Sequence, residues 1–331
     1  MNYSAHIEKA KIHFPELRLH LLDEAEFNIF KNQDFAEKCI DLCTELCNSA
    51  SKKLNVSLNF AVNYNYAFNA NANVKEKHSL ITFNIGLIEK IEAVINDSIE
   101  LFQHENIARF TIQNNEKEKL KQISNKCCIY YLFYHELAHV IQSFDKENLI
   151  TYDFQEQYSN DKPFDIKSHI YEFDADLFGS SMSTYRLIEE IKNFNNQFEI
   201  FPLFNSLTAL LFTISNVIII FSGNLFQKIY YKEKSHPHPI IRIIKCNEQI
   251  LSFASKNMAI QKEFFEAILQ RTTTMISQLE YSEKLKINYE ELYKNNEVEI
   301  SNYIDEIEII NDNYRELVRF KAQEIFNMLS R

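Results

Sequence analysis

Residues 134–140 read Tyr-His-Glu-Leu-Ala-His-Val. His135 and His139 are four positions apart, so on a helix they share one face and can grip a single metal ion. Neutral imidazoles suit Zn²⁺. Glu136 follows the first histidine, where a carboxylate can reach a water held at the ion and act as general base. The flanks, 127–133 before and 140–141 after, are strongly apolar. A buried active-site helix needs such flanks, whereas a chance match on a solvated surface does not.

Two histidines leave a catalytic zinc one protein ligand short, because it takes three plus water. Position 142 is Gln and 145 is Asp, so the extended motif with a further histidine is absent. The next helix is expected after Pro163, capped by Asp165. It carries Tyr-Glu-Phe-Asp-Ala-Asp-Leu-Phe-Gly over 171–179. Glu172 is the natural third ligand, and His169 on the same face is its rival. Asp176 stands one turn beyond Glu172 and can accept the outer N–H of a ligating histidine, fixing its tautomer. Asp174 points to the other side. Carboxylates on helices are ordinarily exposed, but Phe173, Leu177 and Phe178 beside these argue for burial. Gly179, Ser180, Ser181 and Ser183 are small enough to let this helix approach the first closely. Farther on, 235–242 read Ser-His-Pro-His-Pro-Ile-Ile-Arg, a rigid turn leading into a helix. His236, or else His238, could face the zinc and stabilise an oxyanion. The alternative is a loop whose histidines cap or pack.

The elements that must position these groups are mostly helical. The chain has 331 residues, 46% hydrophobic, with Gly 3 and Pro 5. So few glycines leave little room for tight hairpins or Gly-rich phosphate loops. A helix is expected over 23–52, with Cys39, Cys43 and Cys47 along one face. A metal or redox role for them is conceivable, but there is no C-x-x-C, and buried use as small apolar residues fits better. Alternation over 55–69 predicts a half-buried strand. A second strand is expected over 78–86, paired with the first as a hairpin across a polar turn at 69–77. Helices follow over 87–103 and 116–145, then a polar connection over 146–166. The uncharged run 200–227 is long enough to span a bilayer. Its stripe of Asn205, Thr208, Phe212 and Asn216, and the bracketing Pro202 and Gly223, favour a buried helix over a single span. From 243 to 331 the periodicity is helical, as in Ile260, Phe264, Ile268 and then Ile307, Ile310, Tyr314, Leu317; this part could be a cap, a partner surface or a substrate-recognition subdomain.

The net charge of −11 speaks against sequence-independent binding of nucleic acid or anionic lipid. The first 22 residues are charged and lack an apolar core, so no secretory signal is expected, and the six cysteines are expected as thiols in a cytoplasm.

In order along the chain, His135-Glu136-Leu137-Ala138-His139, Glu172-Phe173-Asp174-Ala175-Asp176 and His236-Pro237 with Arg242 resemble the gluzincin metallopeptidases. Among these the chain looks most like the phage-exclusion Lit-type peptidases, which are related to membrane-embedded CAAX-processing and heat-shock peptidases. The resemblance covers roughly 125–245 and implies His135, His139 and Glu172 as zinc ligands, with Asp176 as the supporting carboxylate and Arg242 in the downstream His-Pro motif. It implies an α+β fold, mostly helical, with a zincin-like core and a small antiparallel sheet before the motif helix. The metallopeptidase domain would be 1–245 and a C-terminal helical subdomain 246–331. The expected activity is zinc-dependent cleavage of a protein substrate. Glu136 serves as the base and His236 stabilises the oxyanion, while an edge strand within 54–86 takes the substrate. A chain resembling the Lit type would cut a host translation factor in phage defence. Two readings compete: a zinc-containing binding or regulatory protein without turnover, and a single-span membrane-associated metalloprotease.

Overall fold

The computed structural model describes residues 3–101, 114–143, 152–155, 164–194, 200–223, 228–258, 262–281 and 288–311, with Val318, Ile325 and Leu329 beyond them. The elements are helix α1 (Tyr3–His13), two 3₁₀ segments (Pro15–His20, Glu24–Ile29), α2 (Gln33–Leu54), strands β1 (Ser57–Asn63), β2 (Ala70–Lys75) and β3 (His78–Asn84), then α3 (Ile85–Leu101) and α4 (Asn114–Ser143). Strand β4 (Tyr152–Gln155) is followed by α5 (Ile166–Phe194), α6 (Ile200–Ser222), α7 (Pro239–Met258), α8 (Lys262–Tyr281), α9 (Tyr289–Lys294) and α10 (Glu297–Asn311). The fold is thus mostly helical with one small sheet. The end of the helix expected over 87–103, most of the connection at 146–166, and Ile260, Tyr314 and Leu317 lie outside the described residues.

Local chemistry sets several boundaries. The single helix expected over 23–52 is two elements. Asp23 and Glu26 form a reciprocal cap on the short 3₁₀ turn, and α2 starts only after Asn32, whose side chain accepts from the Phe35 N–H. Asn55 ends α2 in the left-handed conformation at φ 55°. Cys39, Cys43 and Cys47 are all buried on α2 as free thiols, and burial pushes the Cys43 and Cys47 thiols up.

The sheet differs from the expected antiparallel hairpin. Its order is β1-β3-β2-β4, and β1 runs parallel to β3, with Ser57 opposite His78 and Asn63 opposite Asn84. The hairpin is β2–β3, turned at Glu76 with φ 54°. The stretch expected as a polar turn is therefore largely a strand. Asn69, Asn71 and Asn73 made it look like a loop, yet all three are buried, and the Asn69 amide donates to Asn71. Ala70, Ala72 and Val74 alternate with them and are buried too. The inward alternation read to residue 69 stops at Val62; Tyr64 and Tyr66 are more than half exposed. Gly86 is obligatory here, because a Cβ would lie 2.0 Å from the Tyr66 carbonyl oxygen.

The strand region 54–86 offers no open edge to a substrate. The β1 donors facing away from β3 are each met by a side chain: Leu58 by Ser51 Oγ, Phe60 by His6 Nδ1 and Val62 by Tyr3 Oη. Residues 20–22 add backbone bonds to the end of β1, and β3 and β2 are interior. A strand whose outward N–H groups are satisfied cannot template another.

Helix α4 runs through the middle, against α2, α3, α5, α6, β2 and β3. It is buried all round from Cys127 to Ser143, the signature of a core helix. In α6, residues Leu203–Ser222 are long and apolar enough to cross a membrane, but 94% of that window is buried inside the fold, as expected for a core helix. The boundary expected at 245 falls inside α7, and Tyr303, Val318 and Leu329 bond back to His169, Asp174 and Lys53.

Candidate metal centre

Helices α4, α5 and α7 meet at one buried point. Gly179 on α5 lies against α4 so closely that a Cβ would sit 3.0 Å from the Tyr131 carbonyl and 3.3 Å from the His135 nitrogen. The small residues that the sequence marked do permit this approach; Ser180 and Ser183 are fully buried beside it, while Ser181 turns to accept from Gln249 on α7. Asp165 caps α5 as expected, accepting from the Lys167 and Ser168 N–H groups.

The close packing brings His135, His139 and Glu172 together, each with a donor atom within 4.8 Å of the others. The two Nε2 atoms are 3.1 Å apart. Glu172 Oε2 is 3.7 Å from His135 Nε2, and Oε1 is 3.5 Å from His139 Nε2. Glu136 is 1% exposed on the same helix.

The surroundings decide the protonation of both rings. His135 Nδ1 lies 3.1 Å from Asp176 Oδ1. Asp176 also accepts from Tyr131 Oη at 2.7 Å and from Arg242 Nε and Nη2 at 2.8 Å each. Burial by itself would raise the Asp176 pKa. The Arg242 charge and hydrogen bonds, then those of His135, outweigh it and hold the carboxyl below its ordinary value. An ionised Asp176 only accepts, so His135 Nδ1 carries the proton and its Nε2 is a lone pair. His139 Nδ1 faces Gln142 Oε1 at 2.9 Å, which leaves its Nε2 a lone pair as well. Two lone pairs and a carboxylate pointed together repel one another, and a shared cation removes the repulsion. Two imidazole nitrogens and one carboxylate are a donor set that zinc accepts; the residues fit the ion.

The other histidines divide sharply. His169 does not join the cluster: its Nδ1 bonds Tyr303 Oη on α10 and its Nε2 donates to the Lys234 carbonyl at 2.8 Å. Burial lowers its pKa to about 4. His236 Nε2 lies 3.6 Å from Glu172 Oε1, at the cluster. His238 is the cap of α7, its Nδ1 accepting from the Ile240 N–H and its carbonyl from Ile241 and Arg242. Burial lowers its pKa to about 3. Pro239 is then the first helical residue, where its missing N–H is harmless. Cap and site histidine are both present in the one turn.

Sequence reasoning missed Gln142, which supports His139 from three residues on. It also missed the use of Asp174, which accepts from Gln142 Nε2 at 2.9 Å. The spacing 139–142 on one helix face was the available signal for Gln142. A scan of family models, a search of curated proteins and a search of solved structures each return no match.

Proposed function

We propose that the chain is a zinc-dependent endopeptidase of the gluzincin kind, with a zincin-like core, acting on a protein substrate in the cytoplasm. The observation that carries this reading is the buried convergence of His135, His139 and Glu172, with Glu136 next to the first of them. These three residues would hold the ion. When bound, zinc brings water toward ionisation near neutral pH and polarises a carbonyl oxygen.

The remaining work falls to the chain's own groups. Glu136 leaves α4 about 100° around from His135, so it serves the proton and not the ion. It takes a proton as water adds to the peptide carbonyl and returns it to the leaving amine. His236, beside Glu172, donates to the carbonyl oxygen as negative charge builds there. Asp176 keeps His135 in its Nδ1–H form, and Arg242 keeps Asp176 ionised.

The test uses purified protein, its zinc content, and cleavage of a proteome with and without chelator. One zinc per chain and chelator-sensitive cleavage are expected, with translation factors among the substrates to inspect first. Glu136→Gln should keep zinc while the cleavage rate falls at least about 10²-fold, the usual contribution of a general base. Zinc without any cleavage would make this a binding protein. Loss of zinc in Glu136→Gln would make Glu136 a ligand.

A further inference from the structure

Behind His139 is a chain of bonds that reaches Val318. Gln142 is fully buried, Asp174 is 2% exposed and Val318 is fully buried. Gln142 Nε2 donates to Asp174 Oδ2 at 2.9 Å and to the Tyr171 carbonyl at 3.1 Å. The same Asp174 oxygen accepts the Val318 backbone N–H at 2.7 Å. An oxygen with two donors is an acceptor, and a carbonyl can only accept. The Gln142 amide nitrogen must therefore face Asp174 and Tyr171, and its oxygen must face His139. Reversing the amide would set Oε1 against two acceptors.

We propose that Gln142, Asp174 and the Val318 N–H are a positioning relay. It sets the His139 tautomer and ring direction, and makes the C-terminal segment part of the metal centre's support. The proposal rests on the zinc reading for its purpose, but the relay itself is a statement about one histidine. It differs in kind from the support of His135. That ring is held by an ion pair of α5 and α7, whereas His139 is held by a neutral amide whose orientation depends on a backbone donor 144 positions beyond Asp174. A second tie runs alongside it: Tyr303 on α10 bonds His169, which holds the Lys234 carbonyl two residues before His236. Loosening the C-terminal segment would thus disturb both the ligand His139 and the turn that presents His236.

A merely structural bond between α4 and α5 would hold the helices together and leave the ring indifferent. Two readouts on the full-length chain separate these cases. The first is the tautomer of His139 in metal-free protein, read by imidazole ¹⁵N shifts. The second is zinc affinity by chelator competition. In the wild type His139 should be the Nδ1–H form. In Gln142→Leu the Nε2–H form should appear, and zinc affinity should fall about 10–100-fold, the range for loss of a ligand's orienting partner. Val318→Pro removes the N–H, its ring also fixing the backbone there, and should weaken zinc several-fold relative to Val318→Ala. A fixed tautomer with unchanged affinity in Gln142→Leu would overturn the relay. A wild type that fixes the tautomer but binds no zinc would instead overturn the metal reading and leave the relay standing. If Val318→Pro matches Val318→Ala, the C-terminal part of the proposal is wrong.

Discussion

Helices α4 and α6 pack against each other in the core, and both bury polar side chains, but they use them oppositely. On α6, Thr208 and Ser222 turn back onto their own helix, bonding the Phe204 and Ile219 carbonyls. Asn205 accepts one bond, from Arg271 on α8 at 2.7 Å. On α4, His135, His139 and Gln142 reach out to α5, and two of them aim lone pairs at the same point as Glu172. Buried polarity is therefore no mark of a site. What distinguishes α4 is convergence of lone pairs with a carboxylate, an arrangement that a bound cation would relieve. A self-bonded hydroxyl on α6 satisfies a local need and requires nothing from outside.

The comparison breaks most visibly at the ligands. His135→Ala, His139→Ala and Glu172→Ala should each abolish stoichiometric zinc, measured by metal analysis after dialysis, because each removes one of three protein ligands. His169→Ala should keep it, since that ring is committed to Tyr303 and Lys234. Zinc lost in His169→Ala and kept in Glu172→Ala would reverse the assignment.

Arg242 sharpens it next. It is 1% exposed and its Nε and Nη2 serve Asp176, a carboxylate with no exposure. Arg242→Met leaves that carboxylate buried and uncompensated, which should lower stability by about 3–5 kcal/mol in denaturant unfolding. It should also weaken zinc, because an Asp176 that takes up a proton stops fixing His135. A variant that unfolds earlier yet holds zinc as before would separate Arg242 from the site.

Acid is a third lever, and within this comparison it should spare the α6 side, for neither α6 nor α8 contains a histidine. His238 and His169 have folded pKa values lowered to about 3 and about 4 from an ordinary 6.5. Below pH 6.5 the unfolded chain binds protons that the folded chain refuses, so stability falls as pH falls, down to about pH 3–4. The slope is up to about 1.4 kcal/mol per pH unit for each histidine. His238→Asn retains a helix cap and cannot titrate; its melting temperature should fall less steeply from pH 6.5 to 4.5 than that of the wild type.

How much of this was legible depended on reach. The His135–His139 spacing, the Glu172–Asp176 turn and the Asp165 cap are all set within four residues, and each is where the sequence indicated; the turn at 235–242 does lead into a helix, though α7 already starts at Pro239. The sheet was misread because asparagine is a poor strand former: β2 is a strand only because it lies between β3 and β4. Helix α1 was unread, since its buried stripe is only Tyr3, His6, Ile7 and Ala10 among charged neighbours; it is tied down by long-range bonds such as Tyr3 Oη to the Leu22 carbonyl. Whether His236 or His238 faced the site could not be separated locally, because the answer turns on where α7 begins. Gln142 stood in plain view, but its value depends on a carboxylate and a backbone N–H from distant parts of the chain.

The smallest expected effect tests the α6 side of the comparison. Arg271 is 6% exposed, bonds Asn205, and lies over the Phe204 ring at 5.3 Å from its centroid. Burial lowers its pKa to about 10, so it still carries its charge at neutral pH. Asn205→Leu takes an acceptor from that charge and should cost about 1.5–3 kcal/mol. Arg271→Met takes the donor from Asn205 and should cost about 1–3 kcal/mol. The double variant replaces both partners by apolar groups, so it should be more stable than the sum of the two losses implies, by about 1 kcal/mol. None of the three should change zinc affinity, since the pair ties α6 to α8 and neither residue belongs to the metal cluster. A shift in zinc affinity that follows the Asn205–Arg271 coupling would show that α6 supports the centre after all, and the contrast between the two helices would fail.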